Sequence, residues 1–400
     1  MAAAKRHFGK TAVVREKEED LTPSVIIWCA VRGFFHRFDL LQIIPMVLLL
    51  TIGMLFVYST GQEVGGHHVL LFKRQAMYLG IGSVFWLFLL CVDYRWFGPL
   101  SILIYPASIG LLVFVLLFGP LRNGTHRWLD IGPVSLQPSE FGKLAVLIVI
   151  SWVLSFKRAD INRFFWMILV GILFAIPFGL IFIEPDLGSA VILFPVVGAV
   201  MFAAKLKWRY IIIFLLIIAC AMPTVYMSLK SYQQERILTF LDPERDPQNR
   251  GWNAIQAEIA VGTGGYAGKG YGKGTHCTLG YLPQMVADSD FIFPVIAEET
   301  GFVGSTVVIS LYALLLFSIF RTALLASDDF GRYLCVGIAV LLLSHVVINI
   351  GMCIRLLPIT GLPLPLISYG GTFLISMMIY LGIAQSVYAH RSERSLLNDI

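Results

Sequence analysis

Apolar residues run through this chain in long blocks rather than in alternation with polar ones. About 20 mostly apolar residues are needed to cross the hydrocarbon core of a bilayer. Ten blocks approach that length: 40–60, 76–92, 98–118, 138–156, 164–183, 187–204, 209–227, 291–320, 333–353 and 364–389. The pattern predicts an all-α polytopic membrane protein of about ten transmembrane helices. The 291–320 block is longer than a span needs and contains Glu298, Glu299 and Gly301, so it is expected to be broken or partly at the surface. One polar, glycine-rich connection, 228–290, is far longer than the others. The expected organisation is a tail (1–39), a membrane domain (40–390) holding that loop, and a second tail (391–400).

Composition agrees with this class. Of 400 residues 57% are hydrophobic and only 14% are charged, against about 25% charged in soluble domains; mean hydropathy is +0.78. The six cysteines show no disulfide framework, and no Cys/His spacing suggests zinc. The net charge of +5 is not a nucleic-acid footprint, because no basic stripe with interleaved aromatics exists. The first forty residues lack a clean cleavable signal and read as a tail. Most lysines and arginines outside the long loop fall into the N-terminal tail and the pieces around Arg95, Lys157, Arg163, Lys205, Lys207, Arg321, Arg332 and Arg391. The positive-inside rule then places both termini in the cytoplasm and the 228–290 loop outside.

Four segments carry candidate chemistry. In Q-P-S-E-F-G-K, Pro138 suits the first turn of a helix, and Glu140 and Lys143 lie three apart on one face. They read either as a structural ion pair or, beside Arg127 and Trp128, as the lining of an anionic headgroup pocket. In E-P-D-L-G-S-A, Asp186 is a helix cap or a functional carboxylate. The block from Asn349 to Phe373 has three prolines and several glycines, which implies irregular backbone at membrane depth and a mainly structural I-S-Y-G-G. The long loop holds an amphipathic helix pattern from Gly251 to Gly265, then Lys269 and Lys273, and ends on D-S-D-F-I-F. Cations and a carboxylate on one surface suit a phosphorylated, hydroxyl-bearing substrate, with the carboxylate as general base. The glycine run Val261–Gly274 does not follow a strand or end in G-K-[ST], so it is not read as a nucleotide loop.

Taken in order, Q-P-S-E-F-G-K, E-P-D-L-G-S-A, G-K-G-Y-G-K-G, D-F-I-F-P-V-I-A-E-E-T-G and P-L-P-L-I-S-Y-G-G resemble the SEDS family (shape, elongation, division and sporulation) over roughly residues 40–390. P-I-T-G-L-P-L-P-L is similar to the elongation-type, RodA-like members rather than the division-type, FtsW-like ones. The resemblance implies a glycosyltransferase that polymerises lipid II at the outer face of the plasma membrane, together with a class B penicillin-binding protein. It implies Asp290 as the catalytic carboxylate. Arg127, Trp128, Glu140, Lys143, Asp186 and Gln256 match family positions, and Lys269 and Ser368 are supporting candidates. No cofactor is implied with certainty; a divalent cation stays open. The segment departs from the family's usual Leu-Pro-Glu-x-His-Thr-Asp, because Gln284 to Ser289 replace the glutamate and histidine and lengthen the spacing by two. Asp288 therefore remains an alternative base. Rival readings are a lipid II flippase and a scaffold without activity.

Overall fold

The structure, a computed structural model, describes residues 38–60, 67–122, 125–131, 134–213, 231–242, 250–283 and 287–391, and single residues 216, 220 and 227. In chain order the helices are α1 (Leu40–Ser59), α2 (His67–Cys91), α3 (Phe97–Phe118), α4 (Pro138–Leu154), α5 (Phe164–Ile183), α6 (Leu187–Ala203), α7 (Ser231–Leu241), α8 (Arg250–Thr263), the single turn α9 (Thr275–Thr278), α10 (Ile292–Leu325), α11 (Asp329–Cys353) and α12 (Gly371–Ala389). Seven of them are long and apolar enough to cross a membrane. The 17-residue helices α4 and α6 occupy two further predicted blocks. The predicted 209–227 span lies mostly outside the described residues, as do 1–37 and 392–400 of the predicted tails.

Boundaries follow local chemistry. Asp39, Asp186 and Asp328 cap α1, α6 and α11 by accepting the N–H groups of Leu41, Ser189 and Gly331. Pro138 opens α4 at a position whose N–H needs no partner. Two small antiparallel hairpins, β1 (Leu121–Arg122) with β2 (Thr125–His126) and β3 (Leu129–Ile131) with β4 (Val134–Leu136), fill the connection between α3 and α4. The all-α expectation did not include them. The last predicted block is helical only from Gly371; residues 361–370 are an irregular loop.

The helices sort by exposure. In α5 17% and in α3 22% of the span is buried, so both form the rim. By contrast 89% of the α12 span is buried, packed mainly against α2. Helices α4 and α11 complete the centre. Loops alternate between the two ends of the bundle. At one end Arg95 bonds Ser327 and Asp328, and Asn162 bonds the backbone of Lys205 and Lys207. At the other end Arg127 meets the turn between α5 and α6.

The expected break in α10 falls at Gly301 (φ 69°, ψ −160°). A broken helix leaves carbonyls without donors on one side and N–H groups without acceptors on the other. Residues 264–276 supply both. Lys269 and Gly270 donate to the carbonyls of Glu298 and Glu299 (3.0 and 2.9 Å), while Phe302 and Val303 donate to those of Gly265 and Tyr266 (2.9 and 3.2 Å). Such close approach requires Gly268, at φ 78°, where a Cβ would collide with the Glu299 carbonyl oxygen. Replacing Gly268 by Ala is expected to cost at least about 1–3 kcal/mol and to lower the melting midpoint of the detergent-purified protein. At Gly171, where a Cβ meets nothing within 4 Å, the same change should leave the midpoint unchanged or slightly raised.

Candidate active site

Residues 288–291 form a turn immediately before α10. A neighbouring loop holds it by its backbone. Tyr369 N–H donates to the Asp288 carbonyl (2.8 Å), and the Ser368 hydroxyl donates to the Ser289 carbonyl while accepting from Leu364 N–H. From α11, Asn349 Nδ2 donates to the carbonyls of both Asp290 (2.9 Å) and Leu362 (2.7 Å). The two aspartates differ in setting. Asp288 is buried (5% exposed), and its carboxylate lies near the backbone N–H groups of its own residue and of Ser289. Burial pushes its carboxyl up to about 6 against the downward pull of those groups, with the charge of Asp290 adding to the rise. Asp290 is half-buried, and its carboxylate lies beside Gly361, where an added Cβ would sit 3.3 Å from Asp290 Oδ2.

A second cluster begins one helical turn away. Lys143 Nζ is 2.8 Å from Glu140 Oε1 and 3.4 Å from His345 Nε2; the lysine is fully buried and Glu140 nearly so. Ser376 and Tyr380 on α12 bond the carboxylate and the carbonyl of Glu140. His345 and Asn349 are one turn apart on α11, which sets this cluster about 6 Å along the helix from the Asp290 turn. Burying an ion pair costs several kcal/mol per ion, so the extra partners are what make it tenable.

Asp186 sits against the start of α4. Its carboxylate accepts from Gln137 Nε2 (2.9 Å), Ser139 Oγ (3.2 Å) and Ser189 N–H (3.3 Å), so it is a cap and also a tie between α4 and α6. Arg127 donates to the carbonyls of Glu184 (2.7 Å) and Pro185. Trp128 is half-buried between the hairpins, and Gln256 is buried on α8. Lys269 is engaged elsewhere: its ammonium meets Glu298 Oε1 at 2.5 Å in the network that closes the break of α10, along with Thr275 and His276. The structure therefore gathers Asp288, Asp290 and Ser368 in one place, and Glu140, Lys143, Asp186 and Arg127 around the start of α4. Among the described residues no group of three or more His, Cys, Asp or Glu side chains is placed to hold a metal ion, and no comparison indicates a cofactor.

Sequence reasoning missed Asn349 as a holding residue, and it missed His345. The signal was available, because S-H-V-V-I-N places two polar side chains one turn apart inside an apolar span, where polar residues are functional suspects.

The family described as "Cell cycle protein" (FtsW/RodA/SpoVE) matches residues 39–393. The chain belongs to the SEDS family. It is 34% identical over 371 residues to the peptidoglycan glycosyltransferase MrdB of Escherichia coli K12, covering 89% of this chain and 96% of that protein. It is likewise 34% identical over 366 residues to a probable peptidoglycan glycosyltransferase FtsW of Trichlorobacter lovleyi, covering 88% and 93%. A chain from a solved peptidoglycan synthase complex, described as coordinating polymerization and crosslinking, superposes with a TM-score of 0.76 at 32% identity, over 89% of this chain and 99% of that one. SEDS membership makes this chain a membrane protein in a family of peptidoglycan glycosyltransferases.

Two outcomes follow from the geometry. Replacing Lys143 by Met strands the Glu140 charge and should cost about 3–5 kcal/mol of stability, most of it recovered when Glu140 is also replaced by Gln. If the pair is only structural, glycan synthesis returns with stability in the double variant; if it serves the reaction, stability returns alone. The second outcome concerns Glu184, which is buried and whose Oε1 has no partner. Burial and the neighbouring Asp186 push its carboxyl up from 4.5 to about 8, against the opposing pull of Arg127. The fold thus favours the protonated acid, and stability is highest below pH 4.5 and falls as pH rises toward 8. Glu184→Gln should flatten this part of the melting profile and raise the midpoint at pH 8.

Proposed function

We propose that this chain polymerises lipid II into β-1,4-linked glycan strands at the outer face of the plasma membrane, with Asp290 as the general base. The observation that carries the assignment is the contrast within the D-S-D turn. Asp290 is clamped through its backbone by Asn349 and is half-buried, with its carboxylate beside Gly361. Asp288 is buried. A base must reach the hydroxyl it activates, and the half-buried setting of Asp290 supports that role better than the burial of Asp288.

In this reading Asp290 accepts the proton of the acceptor's sugar 4-hydroxyl as that oxygen bonds to the anomeric carbon of the donor. The bond from that carbon to the lipid pyrophosphate breaks, and the pyrophosphate leaves with the electron pair. An α-linked donor giving a β product requires one inversion, which a single base suffices to assist; the logic is that of inverting glycosidases run toward synthesis. Glu140, Lys143, Asp186, Arg127, Trp128, Gln256 and Ser368 support the site as binding or positioning residues, and the Glu298 pairing of Lys269 gives that residue a structural part.

Elongation rather than division is supported by P-I-T-G-L-P-L-P-L, since MrdB- and FtsW-named relatives match equally well. The likeness to a chain of a synthase complex supports a class B penicillin-binding protein as partner. The location of Arg95, Lys157, Arg163, Lys205, Lys207, Arg321 and Arg391 at the end opposite the D-S-D turn supports both termini inside. A flippase would place ionisable residues along a path through the bundle.

With purified protein and lipid II, Asp290→Asn is expected to lower glycan polymerisation by roughly 10²-fold or more without changing the melting midpoint by more than a few degrees. Asp288→Asn should retain polymerisation. If instead Asp288 is the base, an acid limb near pH 6 will dominate the rate profile and Asp288→Asn will abolish activity. Retained synthesis by both variants would sink the assignment.

A further inference from the structure

Two glycines open a cavity between α5 and α6, away from the D-S-D turn. Gly171 and Gly198 are exposed, and a Cβ at either would meet nothing within 4 Å. The space they leave belongs to a cavity of about 390 Å³, within the range of small-molecule sites (about 300–1,000 Å³). Its lining is almost wholly apolar. The lining residues farthest from the start of α5 are Phe174 and Phe194, whose rings meet with centroids 4.9 Å apart. At the other end lie Met167, Leu206 and Tyr210. From Met167 to Phe174 helix α5 rises about 10 Å, most of one leaflet's share of a hydrocarbon core about 30 Å thick.

The mouth of this cavity is basic. The chain before α5 and after α6, residues 155–163 and 204–213, carries Lys157, Arg158, Arg163, Lys205, Lys207 and Arg209 against a single acid, Asp160. Asp160 serves its own loop: it lies 3.7 Å from Arg163 and accepts from the backbone and side chain of Asn162. Asn162 holds the other loop, donating to the Lys205 carbonyl (3.1 Å) and accepting the Lys207 N–H (2.9 Å). Lys205, Lys207 and Arg209, all exposed, are therefore presented on a turn that the fold pins in place. Arg209 brings charge to the rim itself. Its guanidinium lies 4.9 Å from the ring centroid of Tyr210, a lining residue, and donates to the Tyr210 hydroxyl (3.2 Å).

We infer that this cavity binds an anionic phospholipid, with one acyl chain between α5 and α6 as far as the Phe174–Phe194 rings and the phosphate on Lys205, Lys207 and Arg209. Three observations select this occupant. An apolar space that opens at one membrane face and ends near mid-span suits a chain belonging to a single leaflet. Pinned cations at the opening favour an anionic headgroup over a zwitterionic one, and a planar guanidinium binds phosphate oxygens in pairs. The cavity lies toward the end of the bundle opposite the D-S-D turn, and its lining includes no residue of that turn, of the 361–370 loop or of α10, α11 and α12. The site is thus separate from the place where glycan synthesis is proposed, and it stands independently of that reading.

Full-length protein in a neutral detergent is titrated with phosphatidylglycerol or with phosphatidylcholine of the same chains, and bound lipid is counted by native mass spectrometry. Phosphatidylglycerol is expected to bind at least tenfold more tightly. The triple change Lys205→Gln, Lys207→Gln and Arg209→Gln should remove that preference and leave weak binding of both lipids. Gly198→Leu, whose side chain enters the cavity, should weaken both at least tenfold without lowering the melting midpoint. Equal affinity for the two lipids, or a preference that survives the triple change, overturns the proposal. So does phosphatidylglycerol binding that neither Gly198→Leu nor Gly171→Leu weakens, since the headgroup would then sit on a basic surface with its chain elsewhere. Absence of lipid binding together with a lower midpoint for Gly198→Leu would mean that chain beyond residue 213 fills the cavity. Displacement of phosphatidylglycerol by an equimolar amount of lipid II would assign the cavity to a lipid-linked sugar and overturn the proposal equally.

Discussion

Backbone polar groups at membrane depth must find partners within the protein, and one long helix of this chain leaves several of them open. The break at Gly301 lets α10 enter the bundle as a short buried piece and continue as a lipid-facing span. Residues 264–276 complete the broken hydrogen-bond ladder from the side, and the carboxylates of Glu298 and Glu299 gather the N–H and hydroxyl groups of Gly272, Thr275, His276 and Ser59. The glycine run that resembles a phosphate loop in sequence is thus a splice for a helix. Because the D-S-D turn leads directly into the first piece of α10, the position of the aspartates depends on that splice.

The rest of the site is held by irregular backbone. The 361–370 loop offers Ser368, Tyr369 and the Leu362 carbonyl to the turn, to Asn349 and to Gln75. Leu366 adopts a left-handed conformation (φ 68°), unusual for a residue with a Cβ. Strain of this kind, about 1–3 kcal/mol, persists where surroundings over-determine the chain. Here three elements do so: α1, whose Gly53 has no room for a Cβ against Leu366 and Ile367; α10, whose Tyr312 bonds the Pro365 carbonyl; and α11 through Asn349.

Much of this was legible in the sequence because a bilayer rewards one pattern strongly. Block length located the starts of α1, α5 and α6 to within a residue, and the acidic pair with Gly301 announced the break in α10. The hairpins between 121 and 136 escaped because segments of two or three residues carry too little periodicity. Helix α2 begins nine residues before its predicted block, since His67, His68, Lys73, Arg74 and Gln75 are polar and conceal a helix whose first turns lie at the interface. At the site, residue types identified which side chains carry charge but not how each is occupied. Arg127 and Lys269 looked like free cations, but the two carbonyls that Arg127 bonds lie 57 and 58 positions away and the Glu298 partner of Lys269 lies 29 away. Pairing over such distances is a property of packing.

Helix α12 sits at the centre of the bundle with almost no surface left for lipid, and polar side chains line it. Gln42 reaches the carbonyl of Leu381, Ser376 reaches Glu140, and Ser386 holds the backbone on either side of Asp93. Such a helix cannot be at home in the membrane before its neighbours are in place, since its hydrogen-bonding groups would face hydrocarbon. Yet among the described helices it comes after all its partners in chain order. It therefore acts as a keystone for them: the earlier spans must wait with the Glu140 cluster uncovered until α12 enters and closes it.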